Sequence, residues 1–328
     1  MKTRLSRKYF LLSAAALLAV PLRGAETITL AGHDEALVAV MQHWAAAYAK
    51  QNPSAPALVV TELPAPKAGQ GALDDPTAPP LAPTLLRFGP TAWTISARER
   101  AHYARAHGGR PPLELTGGFG AAASKGKPHA VGIFVHPENP LRRLTLAQAD
   151  AAFSAARKRG HADIKTWGDL GLTGEWAAQP IHLTGRRLNN TVSASMREVL
   201  LLDADFKSGY KENENSVSAL AAVADDRLAL GFFGLGFATP GVRALAIAEK
   251  AGGPFVEPSD ATVASGAYPL RRDFRLLLDW PADRAARNPA VRKLVLFFLG
   301  AEAQATLAAE GLNPLPSTVL AVERAKLD

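Results

Sequence analysis

The 328 residues contain no cysteine. That excludes disulfides, thiolate metal sites, a cysteine nucleophile and a lipid-modified N-terminal cysteine. Long apolar runs are scarce too. Only residues 9–22 form one, and it is shorter than the roughly 20 residues a comfortable membrane span needs. The eight histidines show no His-x-x-x-His or similar spacing, so no metal site is expected. No Gly-x-Ser-x-Gly elbow occurs, and no Ser, His and Asp can be placed together, so the chain is not read as an enzyme. Gly231, Gly234 and Gly236 lack the spacing of a dinucleotide fingerprint and are read as packing turns, so no cofactor is expected.

The net charge of +7 suggests nucleic acid, but its distribution argues against it. Lys2, Arg4, Arg7, Lys8 and Arg23 precede the first acid, Glu26. Without them 32 basic residues face 30 acidic ones, a net of +2, which gives no basic surface for a phosphate backbone. Those first 25 residues read as a secretion signal: a charged start, the apolar run, and Ala25 before the cut, with Arg23 a poor fit at the third-last place. The stretch Ser6-Arg7-Lys8-Tyr9-Phe10-Leu11 is similar to a twin-arginine signal missing its second arginine, and the general Sec route is favoured. An uncleaved anchor is the alternative. The expected location is the periplasm.

The remainder alternates strand and helix signals. Ile28-Thr29-Leu30 ends at Gly32, and Leu37, Val40, Met41, Trp44 and Tyr48 then recur at helical spacing. Leu58-Val59-Val60 is a second strand. Residues 64–83 read as loop, and a helix is expected over 96–107. Gly117 and Gly118 open a glycine-rich polar stretch, and a strand covers 131–135. Thr145 with Gln148 three places on is a capping-box pattern, predicting a helix over 145–157. Strands follow at 181–183, 228–233, 243–248 and 274–278, and helices at 193–202, 217–224 and 291–310. This order predicts an α/β protein with mostly parallel sheets.

Seven stretches in order carry a resemblance. They are Ile133-Phe134-Val135-His136-Pro137-Glu138-Asn139-Pro140-Leu141; Leu144-Thr145-Leu146-Ala147-Gln148 with Phe153-Ser154; Thr166-Trp167-Gly168-Asp169-Leu170-Gly171; Ile181-His182-Leu183-Thr184-Gly185-Arg186; Leu230-Gly231-Phe232-Phe233-Gly234-Leu235-Gly236; Ser265-Gly266-Ala267-Tyr268-Pro269-Leu270; and residues 297–304 with Leu315-Pro316. Together, over residues 27–325, they resemble the phosphate-binding proteins of ABC importers, of the class II periplasmic type. The resemblance implies a two-lobed α/β fold, each lobe a mostly parallel sheet flanked by helices, joined by two hinge strands. Lobe 1 is expected over 26–130 and 266–328, lobe 2 over 131–265. It also implies a monomer that binds a small inorganic anion in the interlobe cleft and meets an ABC permease.

The ligand loops depart from the family pattern. Where the family has Gly-Ser-x-Thr, this chain has Gly32-His33-Asp34-Glu35. After Arg186, the family's Ser-Gly-Thr is replaced by Asn190-Thr191-Val192, and Arg87 stands where the family has a proton-accepting Asp, with Ala92-Trp93 at the following Ser-Arg pair. Arg186 is the expected oxyanion clamp, with Arg187 beside it as its alternate. His33 suits a ligand contact or a structural hydrogen bond. Asp34 and Glu35 suit a ligand role or the dipole of a helix start, and Glu35 could plug the cleft by pairing with Arg87 or Arg186. The alternative to oxyanion binding is a relative that has kept the fold but binds another small ligand or a protein partner.

Overall fold

The computed structural model describes residues 27–32, 35–62, 81–90, 97–123 and 127–328. The leader, His33, Asp34, Ala92, Trp93 and most of the expected loop at 64–83 lie outside them, and so does the side chain of Glu35.

Twelve strands follow one another: β1 Ile28–Gly32, β2 Leu58–Glu62, β3 Leu85–Pro90, β4 Leu113–Phe119, β5 Val131–Val135, β6 Arg143–Thr145, β7 His182–Arg186, β8 Lys211–Asn213, β9 Ala229–Gly234, β10 Arg243–Ala244, β11 Ala246–Ala248 and β12 Asp273–Leu278. They form two five-stranded sheets, β2-β1-β3-β12-β4 and β10-β5-β9-β7-β8, and a small pair, β11-β6. In the first sheet β1, β2 and β3 run parallel, while β12 is antiparallel to both β3 and β4. In the second, β7 is parallel to β8 and β9, and β5 is antiparallel to β9 and β10.

Each sheet has its own core. The helix Glu35–Gln51 follows β1 and turns Leu37, Val40, Met41, Trp44 and Tyr48 onto the first sheet, where they meet Phe88, Phe274, Leu276 and helix Pro289–Phe298. Trp44 stacks on Phe298, and its indole N–H donates to the Ala303 carbonyl at 2.8 Å. The second core gathers Ile133, Phe134, Phe153, Trp167, Leu230, Phe232 and Phe233. Each such side chain contributes about 1.5–3 kcal/mol by leaving water. The two clusters share no residue, which is the energetic meaning of two lobes.

Two segments join the halves, and they hydrogen-bond to each other. Gly120 N–H donates to the Arg272 carbonyl (2.8 Å) and Val131 N–H to the Leu270 carbonyl (3.0 Å). Tyr268 hydroxyl, fully buried, donates to the Val131 carbonyl at 3.0 Å.

Several sequence expectations need correction. The strand expected over 243–248 is two, β10 and β11, in different sheets. The helix begun by the Thr145–Gln148 capping box ends at Phe153, not at 157. Ser154 turns extended and bridges Phe206, and Lys207 N–H takes the Phe153 carbonyl. The C-terminal helix is two, Pro289–Phe298 and Ala301–Ala309, broken at Gly300, where a Cβ would lie 2.9 Å from the Phe297 carbonyl oxygen. Gly117 and Gly118 lie inside β4 rather than in a loop.

Candidate functional site

Two groups of expected site residues emerge, one per sheet. In the first sheet, Gly32 ends β1, and in register Gly32 stands beside Phe88 and Ala31 beside Arg87. Gly32 is buried, and a Cβ there would come within 2.4 Å of the Met41 methyl, so the helix packs against bare backbone. Glu35 is the first residue of the helix Glu35–Gln51. Arg87 is completely buried, and its Nη1 donates to Glu99 Oε1 at 2.5 Å from the helix Ala97–Ala106. A ligand role for Arg87 requires that ion pair to open. Its expected pairing with Glu35 lies outside the described side chains.

In the second sheet, β7 delivers Arg186 at its C-terminal end, and the chain then turns into the helix Thr191–Ser195, continued by a π-helical turn, Met196–Leu200. Parallel strands with a helix following place loops at this end, the usual position of ligand crevices. The loop is tightly tied. Arg186 Nη1 donates to the Glu214 carbonyl at 2.7 Å. The Arg186 carbonyl accepts from the Tyr210 hydroxyl (2.5 Å) and the Ser193 hydroxyl (3.1 Å). Asn213 Nδ2 donates to Thr184 Oγ1 (2.7 Å) and the Gly185 carbonyl (2.9 Å). Arg186 Nε is buried and, among the described residues, has no hydrogen-bond partner. Burial lowers the Arg186 pKa from its very high ordinary value, with Arg187 adding to the fall and Tyr210 opposing it; the guanidinium stays cationic. Burial likewise raises the Tyr210 hydroxyl, keeping it a neutral donor.

Asn190 caps the helix. Its Oδ1 accepts from the N–H of Val192 (2.8 Å) and Ser193 (3.2 Å), and its Nδ2 donates to the Arg187 carbonyl at 2.5 Å. Two of the N–H groups at this helix start are therefore already engaged by a side chain. Thr191, the first helical residue, is half-buried. Arg186, Asn190 and Thr191 thus form one loop-and-helix unit, while Gly32 and Arg87 are neighbours on β1 and β3. Sequence reasoning missed the supports of Arg186, namely Ser193, Tyr210 and the Glu214 carbonyl. Only Ser193, three places after the capping Asn190, carried a readable signal.

Among the described residues no group of His, Asp and Glu could hold a metal ion, and no helix is long and apolar enough to cross a membrane.

No family model matches the chain. It is similar to the phosphate-binding protein PstS of two Pseudomonas aeruginosa strains, PAO1 and UCBPP-PA14. Identity to each is 36% over 191 residues, covering 58% of this chain and 59% of the relative. The match therefore spans about three-fifths of the curated relatives' length. Among solved structures, an ABC-type phosphate transport receptor from Vibrio cholerae superposes with a TM-score of 0.56 at 18% identity, covering 88% of this chain and 100% of the other. PstS from Borrelia burgdorferi gives 0.56 at 13%, covering 89% and 100%. A possible phosphate binding protein from Planctomyces limnophilus gives 0.51 at 19%, covering 92% and 98%. At these identities the structural likeness establishes the fold alone. The resemblance to phosphate-binding proteins of ABC importers and the two-lobed α/β fold, both read from the sequence, are borne out.

Proposed function

We propose that the chain is an exported solute-binding protein that captures a small oxyanion of the phosphate type between its lobes and delivers it to an ABC permease. No covalent chemistry is involved. The lobes are residues 26–130 with 266–328, and residues 131–265; the protein works as a periplasmic monomer after export by the Sec route. The observation that carries this reading is Arg186. It stands at the C-terminal end of β7, beside a helix start, with a buried Nε that no described group accepts from. A guanidinium held this way suits a tetrahedral anion, which can accept two of its N–H groups at once. On this reading the site also takes in Gly32, at the end of β1, and Asn190 and Thr191, which follow Arg186. Closure of the lobes, a hinge motion about the paired segments at 120 and 272, would complete the shell.

A second reading is favoured by the loop itself. Asn190 occupies the N–H groups of Val192 and Ser193, and Arg87 is spent on Glu99. Each donor lost to a charged ligand costs about 1.5–3 kcal/mol. Three losses take a micromolar site to millimolar or weaker. On this reading the fold persists and the ligand is another small molecule or a protein. Calorimetry with inorganic phosphate on the mature chain separates the two: micromolar binding supports the first, and no heat with no thermal shift supports the second.

A further inference from the structure

Arg186 stands where β7 finishes, and a cavity of about 430 Å³ opens where the same strand begins. Sites for small molecules run from about 300 to 1,000 Å³. The inner lining of this one is apolar: Ala152, Ile164 and Leu183 are buried and Ile181 is half-buried. The outer lining is charged. Arg157, Lys165 and Lys207 stand against one carboxylate, Asp163, a net of +2.

These cations are not equally free. The Lys207 ammonium donates to the Ala151 carbonyl (2.8 Å), the Ile164 carbonyl (2.7 Å) and Asp163 Oδ1 (2.8 Å), which uses all of its N–H groups. Asp163 Oδ2 also meets Lys165 at 3.2 Å. The Lys207 hydrogen bond holds the Asp163 carboxyl below its ordinary range, so it stays ionised with its charge shared by two lysines. Arg157 is left over. It is half-buried, its Nε donates to the Ala155 carbonyl at 3.2 Å, and among the described residues nothing accepts from its Nη1 or Nη2. Its backbone is left-handed, with φ 46°, a conformation that suits glycine and is unfavourable for a residue with a Cβ. Strain of this kind concentrates where a fold holds a functional group in place.

We propose that this cavity is a second binding site, for a small organic acid: its carboxylate meets the Arg157 guanidinium, and its apolar body lies against Ala152, Ile164, Ile181 and Leu183.

Other ligand classes fit the lining less well. An inorganic oxyanion leaves the apolar side uncovered, and a cation meets a net positive rim. A neutral apolar molecule leaves the guanidinium without the paired acceptors that a carboxylate offers. The inference does not depend on which anion the Arg186 loop takes, because that loop lies at the other end of β7.

NMR of the methyl-labelled full chain tests it, with the signals of Ile164 and Ile181 as reporters. Hexanoate and phenylacetate should each move both signals saturably, while the Ile28 methyl in the first lobe stays in place. Hexylamine and inorganic phosphate should leave the reporters unmoved. Arg157→Gly removes the guanidinium and relaxes the left-handed backbone, so it should weaken both acids by about tenfold or more while the thermal melt is unchanged or raised. No saturable shift from either acid, equal shifts from hexylamine or phosphate, or an R157G chain that binds the acids like the unsubstituted one overturns the proposal. Should R157G fail to fold, hexanoate against hexylamine on the unsubstituted chain decides: a preference for the acid supports the site, and none overturns it.

Discussion

Replacing Asn190 by glycine should tighten anion binding although it removes a polar side chain from the loop. Asn190 Oδ1 accepts from the Val192 and Ser193 N–H groups. An anion using those donors must first displace it. A side-chain cap of this kind contributes about 1 kcal/mol, whereas glycine at the same place costs only a few tenths against asparagine. Removing the tethered competitor should therefore return about 1 kcal/mol to the ligand, about fivefold in Kd. Calorimetric titration of N190G with inorganic phosphate, beside a thermal melt, measures both sides. Expected are a Kd about fivefold lower and a melt nearly unchanged. Weaker binding would show that Asn190 itself touches the anion. Equal binding would show that the two N–H groups do not face it. Either result refutes the competition argument.

Arg186→Met should weaken phosphate binding by about 1.5–3 kcal/mol, roughly tenfold to a hundredfold, with a smaller effect on the urea midpoint, because the one described bond of its side chain is to the Glu214 carbonyl. Gly185→Ala should cost about 1–3 kcal/mol in urea unfolding, since its Cβ would lie 2.6 Å from the Tyr210 hydroxyl and 2.9 Å from the Phe232 ring. Arg87→Ala should destabilise the chain by about 3 kcal/mol or more with or without phosphate, because it leaves Glu99 without its buried cation; a loss of binding at unchanged stability would argue for a ligand role instead.

What the sequence made legible follows local rules. The spacing of Leu37, Val40, Met41, Trp44 and Tyr48 is a helix facing a sheet, and all five are buried. Thr145 and Gln148 form the reciprocal cap their spacing announced. What escaped depends on distant neighbours. Gly117 and Gly118 look like turn residues. They lie in β4, and are glycine because side chains there would strike Phe88 (2.7 Å) and Leu307 (2.8 Å), contacts no local window contains. The same holds at the site. Arg186 was legible from the motif around it, but its anchorage runs to Tyr210 and Glu214, more than twenty residues away. Asn190 was read as a ligand contact because, counted from Arg186, it falls in the stretch that resembles the family's second ligand loop. Whether a loop asparagine turns toward solvent or onto its own helix start is a matter of backbone dihedrals, and here its extended φ of −129° and ψ of 165° set the cap.

The position of β12 bears on how the chain comes to be folded at all. It is the last strand to leave the ribosome, yet it sits between β3 and β4, inside the first sheet. Until residue 278 has emerged, β3 keeps an open edge beyond β1 and β4 has no strand to pair with. The second sheet, by contrast, is drawn wholly from the stretch between residues 131 and 244 and can assemble before synthesis ends. Nascent chains would thus carry one finished half and one half waiting for its keystone.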